Sequence, residues 1–275
     1  MKAVCELCPR RCNLNEDQLG FCRARINRAG RIECENYGRV TNLALDPIEK
    51  KPLRRYYPET KILSAGSYGC NMDCGYCQNS AIARADRTSV EYEAISPDAL
   101  VTLAEAYRPQ GNIGLAFTYN EPLVGYEFVL DTAKRAKQNG LKTVLVSNGM
   151  ITEKYWTRLL PYLDAANIDI KAFSQEGYRA LGGDFDTVKA TVQRAAGKIH
   201  LELTTLIVPS LNDDAARMRE EADWIAALSP DIPLHISRFF PRHRMRSIEP
   251  TPPETIYRLA QIARERLNYV YTGNI

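Results

Sequence analysis

The sequence predicts an α/β fold in which β-α units repeat around a parallel sheet, preceded by a small cysteine-rich module. Three observations carry this expectation. From residue 61 onward, short runs rich in Val, Ile, Leu and Thr alternate with longer segments of helical period. Before that point apolar residues are too few to build a core, and turns such as "LGFC", "AGRI" and "YGRV" punctuate the chain. All 8 cysteines of the 275 residues lie at or before residue 77, which marks the N-terminal part as metal-stapled. The expected division is therefore 1–60 for the cysteine-rich module and its linker, and 61–275 for the α/β body.

Strands are expected at "KILSAGSYG" (61–69), "IGLAFTYNE" (113–121), "KTVLVSNG" (142–149), "AANIDIKAF" (165–173), "HLELTTLIVP" (200–209) and "LHISRFFP" (234–241). Helices are expected between them. "SPDALVTLAEAYR" (96–108) opens with Ser-Pro and an acid in its first turn, and "GYEFVLDTAKRAKQNG" (125–140) stops on Asn-Gly. The others are "EKYWTRLLPYL", "FDTVKATVQRAA", "DDAARMREEADWIAAL" and "PPETIYRLAQIARERL". Such units close as a partial barrel or lie open as a doubly wound sheet, and periodicity does not choose. In both, ligands gather at the C-terminal ends of the strands.

Lys plus Arg number 36 against 33 for Asp plus Glu, so charge gives no reason to expect nucleic acid or an acidic membrane as partner. The basic run "KKPLRRYY" (50–57) reads as a solvated loop. No stretch approaches the roughly 20 apolar residues of a membrane helix, and "MKAVCELCPRRC" lacks the apolar core of a signal peptide. A cytoplasmic location is expected, where thiols stay reduced and metal binding is the better account of cysteine groups than disulfides.

Cys70, Cys74 and Cys77 are spaced C-x3-C-x2-C in "GCNMDCGYCQN", directly after the first expected strand. Structural zinc wants four closed ligands, and the 3 histidines, His200, His235 and His243, lie far along the chain. An iron-sulfur cube takes one thiolate per iron, so three thiolates leave one iron open to an outside chelator. Cys5, Cys8, Cys12 and Cys22 form a complete set, C-x2-C-x3-C-x9-C, that suits zinc or a closed cluster equally. Cys34 stands apart; it replaces one of the four or packs in the interior.

The cluster loop, with Tyr76 just before its last cysteine, resembles that of radical S-adenosylmethionine (radical SAM) enzymes. More closely, the chain resembles the pyruvate formate-lyase activating enzyme-like branch and, within it, the AmmeMemoRadiSam system radical SAM enzymes. The likeness runs from "CELCPRRCNL", "GFCRARIN" and "LDPIEKKPL" through "AFTYNEP", "VLVSNG", "NIDIKAF", "TTLIVPSLND" and "HISRFFP" to "YVYTGNI". It implies a partial (β/α)6 barrel carrying a 4Fe-4S cluster on Cys70, Cys74 and Cys77. The amino and carboxylate groups of S-adenosylmethionine would chelate the fourth iron, and a low-potential donor of flavodoxin or ferredoxin type would supply the electron. Reductive cleavage then yields methionine and a 5′-deoxyadenosyl radical that abstracts hydrogen from a substrate.

The same resemblance implies cofactor contacts at several strand ends. Glu121 and Asn120 stand where the family often has Gly-Gly-Glu to grip the methionyl ammonium; both glycines are absent here, and capping the following helix is the competing reading of Glu121. Ser147 and Asn148 lie where the family meets the methionyl carboxylate. Asp169 and Lys171 alternate with Ile168 and Ile170 and so share one strand face, fitting either a cofactor bearing both charges or a structural ion pair. His243 matches a cofactor-contacting histidine, with a solvated basic loop carrying Arg242 and Arg244 as the competing reading, and Tyr76 would present backbone or ring to adenine, whereas His200 and His235 are expected to be structural. No catalytic residue beyond these is assigned. Two substrates fit: a small molecule handled with AmmeMemo-type partner proteins, or a partner protein that receives a glycyl radical.

Overall fold

The computed structural model describes all residues from Met1 to Ile275. Its centre is a sheet of strands β1 (Asn42–Pro47), β2 (Lys61–Gly66), β3 (Asn112–Phe117), β4 (Lys142–Ser147), β5 (Ala165–Asp169), β6 (His200–Ile207), β7 (Leu234–Arg238) and β8 (Val270–Gly273). The strands neighbour one another in chain order. All pairings are parallel except β1 with β2, which is antiparallel. A doubly wound sheet reverses its strand order at a switch point. This sheet never reverses, so right-handed crossovers carry every helix to one face and leave the other as the inside of a partial barrel.

Apart from a single turn at Ser80–Ala83, the helices are α1 (Pro97–Ala106), α2 (Tyr126–Gln138), α3 (Glu153–Leu159), α4 (Gln175–Ala180), α5 (Phe185–Ala195), α6 (Ala215–Leu228) and α7 (Pro253–Arg264). Four of these helices, α1, α4, α5 and α6, start at side chains that accept orphan amides: Ser96 from Ala99 (3.1 Å), Ser174 from Gly177 (3.0 Å), Asp184 from Thr187 (2.8 Å) and Asp214 from Arg217 (2.9 Å). Each buries one stripe. In α7 the buried residues are Ile256, Leu259, Ala260 and Ala263, the helical period that faces a sheet.

All six expected strands are present, each ending two to four residues earlier than its apolar run. The overhanging residues form the loops at the C-terminal ends. Strands β1 and β8 and helix α4 were not expected. β1 lies inside the stretch read as linker, so the sheet reaches back to residue 42. Helix α4 spans 6 residues and contains Gly177, whose Cβ would stand 2.5 Å from Ala172 Cβ, too short and too interrupted for periodicity to reveal.

The run "KKPLRRYY" is not a solvated loop. Leu53 and Tyr56 are buried, with Ile48, against Ile62, Ala116, Val144 and Ala165, on the face opposite the α1 and α2 contacts of Leu63 and Leu115. It therefore plugs the barrel interior, leaving Arg54 and Arg55 outside. Beneath it Glu202, 0% exposed, accepts from the backbone amides of Arg54 (3.0 Å) and Arg55 (2.8 Å) and from His200 (2.8 Å) and His235 (2.6 Å). The two histidines are structural, as expected.

The N-terminal residues form a hairpin, Arg25–Arg28 with Arg31–Cys34, and a short pairing of Ala3–Val4 with Asn13–Leu14. They dock on the C-terminal ends of the barrel strands. Arg25 makes a two-pronged pair with Glu127 of α2, its Nη2 reaching Oε1 at 2.8 Å. Thr152 donates its amide to Leu7 O (2.9 Å), and Arg10 donates to Asn71 O (2.7 Å) and to Gly182 O.

Candidate active site

Cys70, Cys74 and Cys77 lie on the loop that leaves β2, all three free and partly buried. The loop is pinned on several sides. Asn120 accepts from Ser67 N (3.0 Å) and donates to Tyr68 O (3.0 Å) and Gly69 O (3.1 Å), so both ends of its amide hold the approach to Cys70. Arg244 grips Asp73 through its carboxylate (2.9 Å) and its carbonyl (2.8 Å), and the Arg244 amide donates to Gly75 O (2.9 Å). The bond from the Arg244 side chain to its carboxylate, with the charges of Arg84 and Arg244, holds the Asp73 carboxyl below its ordinary range against the effect of burial. Gly69 has φ +92°, and a Cβ there would meet Cys22 O at 2.5 Å, so only glycine lets the module come this close.

Burial pushes all three thiols up, Cys74 to about 11. Thiols of this kind stay protonated until a metal takes the thiolate, and loading releases protons.

Next to the loop stands a buried polar hub. Glu121, 3% exposed, accepts from Ser147 Oγ (2.7 Å), Asn148 N (2.8 Å) and Leu123 N (3.0 Å). Burial pushes its carboxyl up to about 7 even though those hydrogen bonds pull the other way. The bond from Leu123 caps the turn Pro122–Gly125, so the capping role is real and coexists with the hub. Asn148 joins hub to loop: its Nδ2 donates to Asn71 Oδ1 (2.9 Å) and lies 3.7 Å from Cys70 Sγ.

Strand β5 stops at Asp169, and Lys171, two residues beyond, turns back to it, Nζ to Oδ2 2.8 Å. Burial disfavours the Lys171 charge, but Asp169, Tyr76 and Cys74 outweigh it and raise its pKa well above the ordinary value. Lys171 N donates to the Tyr178 hydroxyl (3.1 Å) on α4, and Leu181 O just past that helix accepts from Asp73 N (2.9 Å), so the pair sits beside the cysteine loop. Two further groups lack partners: the hydroxyl of buried Tyr76 and the buried Nε2 of His243, a residue held at φ +47°. Orphaned polar atoms near three free thiols suit a site completed by a bound group.

The residues named from the sequence as cofactor or metal contacts lie at these C-terminal strand ends or at the N-terminal thiols, whereas His200 and His235 lie at the other end with Glu202. Sequence reasoning missed Asn71, Asp73 and Arg244. Asn71 sits inside the quoted cysteine motif, but its partners Asn148 and Met150 are 77 and 79 positions away.

Residues 65–222 match the model of the Radical SAM superfamily, which spans the cysteine loop, the Glu121 hub and the Asp169–Lys171 pair. The chain belongs to the radical SAM superfamily. An uncharacterized protein of Methanocaldococcus jannaschii is 38% identical to it over 277 aligned residues, covering 100% of this chain and 82% of that one. A pyruvate formate-lyase-activating enzyme of Clostridium pasteurianum is 26% identical, covering 57% of this chain and 66% of its own. In fold, the chain is similar to a domain of a pyruvate-formate lyase-activating enzyme from Bacteroides vulgatus, with a TM-score of 0.51 over 58% of this chain and 99% of that one, at 19% identity. As a radical SAM protein it is an enzyme whose cofactors are a 4Fe-4S cluster and S-adenosylmethionine. No helix is long and apolar enough to cross a membrane.

Proposed function

We propose that the chain cleaves S-adenosylmethionine reductively and directs the resulting radical at a small molecule, working with AmmeMemo-type partner proteins and a flavodoxin or ferredoxin as electron donor. The observation that carries this reading is the juxtaposition of three free thiols with the Glu121 hub and the Asp169–Lys171 pair at one end of the barrel. Cys70, Cys74 and Cys77 would hold the cluster. When bound, cluster and S-adenosylmethionine supply an electron to the sulfonium and a 5′-deoxyadenosyl radical to the substrate.

The chain's own residues divide the remaining work. Asp169 and Lys171 offer opposite charges to an amino acid headgroup, the acid to its ammonium and the amine to its carboxylate. Glu121 fixes the Ser147–Asn148 turn, and Asn148 aims its amide at Cys70 Sγ. Tyr76 and His243 each keep one polar atom for a bound partner. Asn120 serves as holder of the loop rather than as a cofactor contact, since its amide is already spent on residues 67–69.

A small substrate is favoured by the N-terminal module, which minimal activating enzymes lack and which here occupies one side of the strand ends. The second reading, installation of a glycyl radical on a partner protein, draws on relatives named as activating enzymes. Anaerobically reconstituted, reduced protein should release 5′-deoxyadenosine from S-adenosylmethionine, and Cys70→Ala, Cys74→Ala or Cys77→Ala should abolish it. Retained cleavage in any of the three would overturn the ligand assignment. A glycyl-radical signal raised in a companion enzyme would select the second reading.

A further inference from the structure

Cys5, Cys8, Cys12 and Cys22 line one small cavity, joined in its wall by Arg10, Arg25 and Asn71. None is in a disulfide. Their sulfurs bound a void and are not gathered at single-ion spacing. That distinction is chemical. Zinc draws four sulfurs to about 2.3 Å from one point, whereas an iron-sulfur cube seats each thiolate on its own corner and needs room between them. Cys34 is outside the wall, its Sγ donating to Asn36 Oδ1 at 3.2 Å, so the set is the four and not a permutation with the fifth.

Arg25 supplies an independent sign. It is 4% exposed, and its two terminal nitrogens are taken by Glu127, yet Nε has no partner in the protein. A buried N–H left without an acceptor is costly to fold. In a wall of sulfur the acceptor it lacks is a sulfur carrying negative charge. Hydrogen bonds to cluster sulfurs are also a principal means by which proteins tune such centres.

The cavity adjoins the first site. Asn71 belongs to its wall and also accepts from Asn148, whose amide approaches Cys70 Sγ. Cys22 O lies against Gly69 on the other side. Residues 69–71, with Cys70 in the middle, are the partition between the two cysteine groups.

We propose that Cys5, Cys8, Cys12 and Cys22 hold a second, fully protein-ligated iron-sulfur cluster, with Arg25 Nε donating to one of its sulfurs, across the 69–71 partition from the cluster loop. The proposal is independent of the substrate assignment. Metal and sulfide analysis of anaerobically reconstituted full-length protein tests it. The parent should carry about eight irons and as many sulfides, about four per cube. A Cys70→Ala/Cys74→Ala/Cys77→Ala variant should keep half of them, and so should a Cys5→Ala/Cys8→Ala variant, while Cys34→Ser should keep all. In the parent, reduction should give electron paramagnetic resonance signals broadened by coupling between neighbouring clusters, and each half-loaded variant should show an uncoupled signal. Arg25→Leu should retain its iron but shift the reduction potential of the cluster that survives in the triple variant. One zinc per chain in the parent, or complete loss of iron from the folded triple variant, would overturn the second cluster. The triple variant thereby separates failure here from failure of the Cys70, Cys74 and Cys77 assignment. If Cys5→Ala/Cys8→Ala does not fold, parent and triple variant still decide.

Discussion

At the scale of single residues, Glu121 is the point where stability and site geometry meet. Its two oxygens accept three hydrogen bonds from Ser147, Asn148 and Leu123 without donating any. Glu121→Gln replaces one acceptor with an NH2 group that must face a donor. The expected cost is about 1–3 kcal/mol for the buried unsatisfied group, seen as a melting temperature lower by several degrees, at about 2–4 °C per kcal/mol for a chain of this size. S-adenosylmethionine binding should weaken as the Ser147–Asn148 turn loosens; unchanged melting and binding would show that the hub is dispensable. For Asp169→Ala and Lys171→Ala the expectation differs: iron content unchanged, cofactor binding weakened about tenfold or more, measured anaerobically by equilibrium binding. Equal binding in both variants would make the pair purely structural. The cysteine loop and the Asp169–Lys171 pair were legible because short spacing alone places them. Asn71 and Arg244 were not, since each acts through partners brought near only by the fold, Asp73 being 171 positions from Arg244.

Among elements, the six central strands were legible because both faces are buried and their apolar runs are nearly continuous. The same property blurred their ends. Tyr68, Met72, Met150, Ile151, Ala172 and Val208 lie beyond the strands yet are buried over the barrel mouth, so the apolar pattern continues where the sheet has stopped. Edge strands β1 and β8 carry mixed burial and gave no comparable run. The plug at residues 50–57 was misread for a similar reason: its charges are conspicuous, whereas its anchoring runs through backbone amides to Glu202. That carboxylate makes a pH prediction. Burial alone would raise its pKa, but hydrogen bonds from His200, His235 and Arg55 overcome this and lower it from 4.5 to about 2. A depressed carboxylate contributes stability that is present above the unfolded value and lost as pH falls through the folded one. Here that window runs from 4.5 down to about 2, and the contribution is about 3 kcal/mol. Glu202→Gln should therefore be less stable at neutral pH and lose the acid-dependent part of its denaturation profile in that window. A variant whose stability still falls between those limits as steeply as the parent would exclude Glu202 as the source.

For the molecule as a whole, the question is whether residues 1–60 form a unit of their own. The cysteine spacing and turn-rich composition suggested a module, but the side chains argue for shared stability. Cys22 and Ala24 cluster with Val124 of the barrel and lie against Gly69, and Cys5 and Leu7 belong to the main core. Arg25 is buried with its charge answered by Glu127 of α2. Removing one partner of such a pair costs about 3–5 kcal/mol because the other charge is left stranded. Were the module independent, Glu127→Ala would detach it and leave the barrel intact. If the two are one cooperative unit, the same change lowers the stability of both together. Hydrogen exchange in increasing denaturant distinguishes these cases: amides of Arg25–Arg28 and of Lys61–Gly66 should open with the same free energy in the parent and fall in parallel in Glu127→Ala. The Trp fluorescence of Trp156 and Trp224, both in the barrel, should shift to the same lower midpoint. Early opening of the hairpin at a denaturant concentration where β2 stays protected would show instead that the thiol-bearing segment folds on its own and only rests on the barrel.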